Sequence, residues 1–146
     1  MASGDWIVLM DADIVIAPTM FARIDEVSDT ANFVSGDGRL MLSKETTAKI
    51  LTGEIRPWDQ WDELVNSAGE YRYREAHGVP VGFFQCFKRA FFDEVKYAEL
   101  DHFEGADMWF GMALQGKYGK EVRLSGLPVL HLDHGGSQWY GTTKHF

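Results

Sequence analysis

The sequence predicts one α/β domain, a mixed sheet with flanking helices, on three observations. An unbroken apolar run, Ile7-Val8-Leu9-Met10, stops at a paired acid, Asp11-Ala12-Asp13. A second apolar run, VPVGFFQCF, occupies residues 79–87. Stretches with helical apolar spacing stand at 19–26, 44–51, 58–65 and 106–115. Strands that are apolar without alternation suit burial on both faces, and intervening helices supply the covers. With 146 residues, 45% of them hydrophobic, the chain can build one real core, and no repeat or linker divides it.

Taken in order, Pro18 breaks the first strand, and Met20, Phe21, Ile24 and Val27 give the short helix after it an apolar face. Residues 31–35 and 39–42 read as strands separated by Gly36-Asp37-Gly38, a hairpin or a bend. Ser43 resembles an N-cap for a helix over 44–51 that ends at Gly53. Pro57 favours a first helical turn, and Trp58, Trp61, Leu64 and Val65 form one face of the next helix. Residues 70–78, with Tyr71, Arg72, Tyr73, Arg74 and His77, are polar and aromatic together, a loop or edge segment suited to meeting a ligand.

Gly82 interrupts the second apolar strand, which marks either a bulge or a close approach of ligand or backbone. The chain then turns helical over 88–95 and becomes acidic over 99–105. The helix over 106–115 is expected to bury Met108, Trp109, Met112 and Ala113, with Gly116 and Gly119 ending it. Asp107 falls in its first turn, where the helix dipole stabilises a carboxylate, so capping alone accounts for it. Strand segments at 121–124 and 127–136 close the ordered part, and Trp139, Tyr140 and His145 lie in the tail.

Charge narrows the classes of function. The 14 basic and 22 acidic residues leave a formal charge of -8 with no Lys/Arg cluster, which argues against nucleic acid. The single cysteine, Cys86, sits among phenylalanines and reads as a reduced core residue, fitting a cytoplasmic compartment. No apolar run approaches a membrane span and the start carries no signal-like pattern, so membrane contact is expected to be peripheral at most.

The paired acid is the chemical centre of the sequence. Alternation along a strand points Asp11 and Asp13 to one side at its carboxyl end, where open α/β sheets bind ligands. Two carboxylates so close raise each other's pKa unless a cation neutralises them, which suggests a divalent metal held by oxygen ligands. The alternative is that both acids cap the following turn.

These residues resemble a known family. Gly4-Asp5-Trp6 leading into IVLMDADIVIAP is similar to the DxD strand of inverting glycosyltransferases of the GT-A fold, family 2 in particular. In the same order follow VGFFQCFKRAFFDEV, similar to the glycine-containing strand that passes into a helix before the acceptor site, and FEGADMWFGMALQGKYG, similar to the G-G-E-D segment. VLHLDHGG resembles the closing strand whose histidine completes the metal site. The resemblance spans nearly the whole chain but only the second part of such a domain. The expectation is therefore a truncated GT-A (Rossmann-like, nucleotide-diphospho-sugar transferase) domain over 1–146, lacking the βαβ unit that grips the base.

The resemblance implies transfer of a sugar, UDP-linked in the first instance, to a hydroxyl acceptor with inversion. Asp13 would bind Mn2+ or Mg2+ bridging the donor's diphosphate, and Asp11 would contact the ribose or share the metal. His131 would be the imidazole ligand, with His134 its rival because the strand turns it to the opposite face. Asp107 would be the general base. The pattern departs at Ala106, where Glu is expected, although Glu104 is near. Gly82 and Trp109, with Phe83 or Phe84, are the implied donor and sugar contacts.

Two other readings stay open. Asp11-Ala12-Asp13-Ile14-Val15 also fits the DxDx[T/V] signature of haloacid-dehalogenase-like phosphatases, with Asp11 as nucleophile, Asp13 as acid and Mg2+ beside them. That chemistry needs a late acidic pair, and this chain's last strand ends in histidines. The second is a non-catalytic assembly module whose exposed sheet edges are covered by self-association as a homo-oligomer.

Overall fold

The computed structural model describes residues 3–67, 70–72, 83–97, 99 and 105–134. Its strands form two mixed sheets with helices against them. The first sheet joins β1 (Trp6–Met10), β3 (Phe33–Gly36), β6 (Phe84–Lys88) and β7 (Val122–Leu124) in the order β1-β6-β3-β7. The second joins β2 (Ile14–Val15), β4 (Arg39–Met41), β5 (Glu70–Arg72) and β8 (Val129–His131) in the order β2-β8-β4-β5.

The expected mixed sheet with flanking helices is observed, with the strands divided between two sheets. Among the described strands, β3·β7 and β4·β8 run parallel, while β1·β6, β3·β6, β2·β8 and β4·β5 are antiparallel. An apolar run fixes that a strand is sheltered but not the direction of its neighbour. Nor is β1 buried on both faces: among the described strands it is an edge, and Trp6, Ile7, Val8 and Leu9 are each half-buried.

Helices cover both faces of the first sheet, because its strands alternate. Val34, Phe84 and Cys86 face one way, onto Met20 and Ile24 of α1 (Met20–Val27). Phe33 and Phe87 face the other, onto Phe110 and Leu114 of α4 (Ala106–Tyr118). The predicted outward and inward faces of α4 are therefore exchanged. Met108, Trp109 and Met112 are 38%, 52% and 44% exposed, and Phe110, Gly111 and Leu114 are buried. Apolar residues surround this helix, so its burying face is chosen by the aromatic surface it meets, where Phe87 packs edge-on against Phe110 at 5.0 Å.

The second sheet gathers Leu40, Leu42, Leu64 and Leu130 into a further core, flanked by α2 (Lys44–Leu51) and α3 (Trp61–Ser67). Ser43 caps α2 as expected, its hydroxyl accepting from the Thr46 amide at 3.1 Å. The third helix starts at Trp61 rather than in the Pro57 turn, and leaves Trp58 66% exposed. After β6 the chain makes a 3-10 helix, Arg89–Asp93.

Gly36-Asp37-Gly38 makes a bend, not a hairpin: β3 belongs to one sheet and β4 to the other. The later segment crosses alongside it, since β7 pairs with β3 and β8 with β4. Asp37 stitches the two crossings, its amide donating to Leu127 O at 2.9 Å and its carboxylate accepting from the Gly126 amide at 2.8 Å. A Cβ on Gly36 would come within 3.1 Å of Leu127 O, so the crossing leaves little room for a side chain there. No described helix is long and apolar enough to cross a membrane.

Candidate metal centre

Strand β1 ends at Met10, and residues 11–13 make a turn closed by Ile14 N donating to Asp11 O at 3.3 Å. The paired acid thus sits at the carboxyl end of β1, as expected, but in a turn, where strand alternation no longer sets the two side chains. Asp13 is then fixed from the other sheet. Ile14 of β2 pairs antiparallel with His131 of β8, and the Leu132 amide donates to Asp13 O at 2.9 Å. This short ladder brings residues more than a hundred positions apart into contact.

The result is a three-residue cluster. Asp13 Oδ2 lies 3.3 Å from His131 Nε2 and 3.1 Å from His134 Nε2. One potential ligand atom from each of Asp13, His131 and His134 lies within 4.8 Å of the others. The expected rivalry between the histidines is replaced by convergence, because β8 ends at His131 and the chain beyond it no longer alternates. Asp11 is not part of this group.

Two ligand atoms each about 2.1 Å from one ion, at octahedral or tetrahedral angles, lie about 3.0–3.4 Å apart. Both Asp13–imidazole distances fall in that interval. His131 is buried at 4% exposure with Nε2 turned toward Asp13, and its Nδ1 has no hydrogen-bond partner among the described residues. Burial holds the His131 pKa below its ordinary value, assisted by Arg39 and His134 and opposed by Asp13 and Asp133. A neutral imidazole is the form that ligates metal. The donor set therefore fits a divalent cation.

Asp11 links this cluster to a second acid. Partial burial raises its pKa, and the neighbouring carboxylates of Asp13 and then Asp107 raise it further, while Arg39 pulls it down. Asp107 stands in the first turn of α4, half-buried, where its backbone carbonyl accepts from Gln85 Nε2 at 3.0 Å. Gln85, fully buried on β6, accepts in turn from the Tyr97 hydroxyl at 2.7 Å. The Tyr97 pKa is pushed up to about 12 by burial and by the charges of Asp107 and Asp11, and its ring stacks on Phe110 at 4.4 Å.

The sequence reading missed Arg39, Gln85 and Tyr97. Arg39 is a buried cation on β4, 5.6 Å from the Phe83 ring centre, and its charge reaches both Asp11 and His131. A charged residue opening a strand gave no hint of this, and only the parallel pairing of β4 with β8 reveals it. Trp109, in contrast, is not brought to the acids. Two residues beyond Asp107 on a helix is about 200° around the axis, and Trp109 projects from the exposed face. Gly82 and Glu104 lie outside the described residues.

Comparison with protein-family models, with curated proteins and with solved structures finds no match to the chain. The site must therefore be interpreted from its own chemistry.

Proposed function

We propose that the chain provides the metal and acceptor side of a glycosyltransferase site, moving a sugar from a nucleotide-diphosphate sugar, UDP-linked in the first instance, to a hydroxyl acceptor with inversion. The partial GT-A domain expected from the motifs belongs to the same reading. The observation that carries it is the meeting of Asp13 with His131 and His134 beside Asp11, which is itself coupled to Asp107.

In this reading Asp13 and His131 hold Mn2+ or Mg2+, and Asp11 contacts the donor or shares the ion. When bound, the cation supplies positive charge for the diphosphate that departs. Asp107 accepts the acceptor hydroxyl's proton as that oxygen bonds to the anomeric carbon, while the bond from that carbon to the diphosphate oxygen breaks and its electron pair leaves with the diphosphate. Gln85 fixes the carbonyl of Asp107 and so steadies the helix turn that presents the base. Arg39 adds a buried positive charge near Asp11.

The test is a calorimetric titration of UDP and UDP-sugars with Mn2+ or Mg2+ present, comparing the parent with Asp13→Ala. The parent should bind nucleotide in a metal-dependent way and the variant should not. Equal nucleotide binding by both proteins would remove the support for this function.

A further inference from the structure

The two histidines have a consequence for which cation the site takes. A site built from a DxD pair offers hard oxygen ligands, and Mg2+ and Ca2+ suit such ligands. Here the converging atoms are one carboxylate oxygen and two imidazole nitrogens, while Asp11 is outside the group. Imidazole nitrogen favours Fe2+, Co2+ and Zn2+ over Mn2+, and all of these over Mg2+.

We infer that Asp13, His131 and His134 together form a site for a borderline transition-metal ion, with Zn2+, Co2+ or Fe2+ bound ahead of Mn2+ and with Mg2+ and Ca2+ poorly held. This rests on the metal arm of the proposed function and not on sugar transfer, and it replaces the Mn2+ or Mg2+ of that reading by an ion that imidazole prefers. The 3.3 and 3.1 Å approaches to a single Asp13 oxygen place both rings against the same point. His131 is buried while its Nε2 faces Asp13, so the core holds the ring in place and presents that nitrogen to the site. Among the described residues the site has three protein ligands, one fewer than a closed structural zinc site holds.

His134 is the discriminating residue. Its side chain is 37% exposed, so its replacement should leave the fold intact where replacing the buried His131 endangers it. The experiment strips the protein with chelator, titrates it with Co2+ while following the visible ligand-field bands, and then competes with Zn2+, Mn2+ and Mg2+. One Co2+ should bind per chain, and Zn2+ should displace it readily. Mg2+ should fail to displace it even at about a thousandfold excess.

His134→Ala, with its circular dichroism unchanged, should weaken Co2+ at least about tenfold, and Asp11→Asn should change it far less. Displacement by equimolar Mg2+, an unaltered Co2+ affinity in His134→Ala, or a loss in Asp11→Asn as large as in Asp13→Asn would each overturn the inference. Nucleotide binding that persists with Mg2+ alone would leave the transferase reading standing without it. Tight Co2+ binding that UDP never touches would do the reverse.

Discussion

Asp13→Ala makes a two-part prediction in which stability reports on the site without any substrate. In the metal-free protein the Asp13 carboxylate is the shared partner of two imidazoles. Its removal leaves buried His131 without the Asp13 partner of its Nε2, while Nδ1 has no partner among the described residues. A buried polar group that loses its partner costs about 1–3 kcal/mol. Relief of the repulsion that Asp11 feels from Asp13 opposes this by less than about 1 kcal/mol, since the Asp11 side chain still reaches solvent and is screened there. The net loss of about 1–2 kcal/mol corresponds to a fall in Tm of roughly 3–8 °C for a domain of this size. The second part concerns metal. At a concentration of about 100 Kd a bound ion adds about 2.7 kcal/mol to the parent, or roughly 10 °C, and it should add almost nothing to the variant. Asp13→Asn separates the parts, because it keeps an acceptor oxygen while losing the charge: its metal-free Tm should stay near the parent's, and its response to metal should vanish. Thermal unfolding with and without Co2+, each against a chelated control, measures both. A variant that gains Tm from the ion as the parent does would refute the reasoning, whatever its metal-free stability.

Three further outcomes follow from the fold. Phe110→Ala should cost about 3–5 kcal/mol in urea denaturation, whereas Trp109→Ala on the opposite face of α4 should stay within about 0.5 kcal/mol; reversed values would place the wrong face inward. Gln85→Leu should cost about 1–3 kcal/mol by stranding the Tyr97 hydroxyl, and adding Tyr97→Phe should recover part of the loss; strictly additive effects would mean that the two side chains are not partners. Burial pushes the Cys86 thiol from 9.0 up to about 12, so above pH 9 the unfolded chain binds fewer protons than the folded one and stability falls as pH rises. The loss should reach about 1 kcal/mol at pH 10 and shrink in Cys86→Ala, and an identical pH profile in that variant would exclude the thiol as its source.

The helices were legible where a side chain acts locally. Ser43 caps α2 through an amide three residues on, and Met20 and Ile24 share one face of α1 as their spacing requires. The face of α4 was not, because Met108, Trp109, Phe110 and Met112 leave no polar side to exclude, and only the Phe33–Phe87 surface decides between them. Strand direction was similarly hidden, since Ile7 to Leu9 read alike beside a parallel or an antiparallel neighbour. At the site, the sequence pointed to Asp11, Asp13 and His131 by type and position. It could not join His134 to Asp13, which depends on the pairing of Ile14 with His131 and on β8 stopping there. Arg39 and Gln85 were invisible for the same reason: each matters through a neighbouring strand or helix far away in the chain.

The stitch at Asp37 reaches further than its own bend. Because two neighbouring segments change sheets side by side, each sheet holds half of both, and loosening either layer drags on the other through the Gly126 and Leu127 contacts. The pair should therefore melt as a single cooperative unit, and the imidazoles at the far end of β8 inherit their steadiness from a crossing that touches no ligand at all.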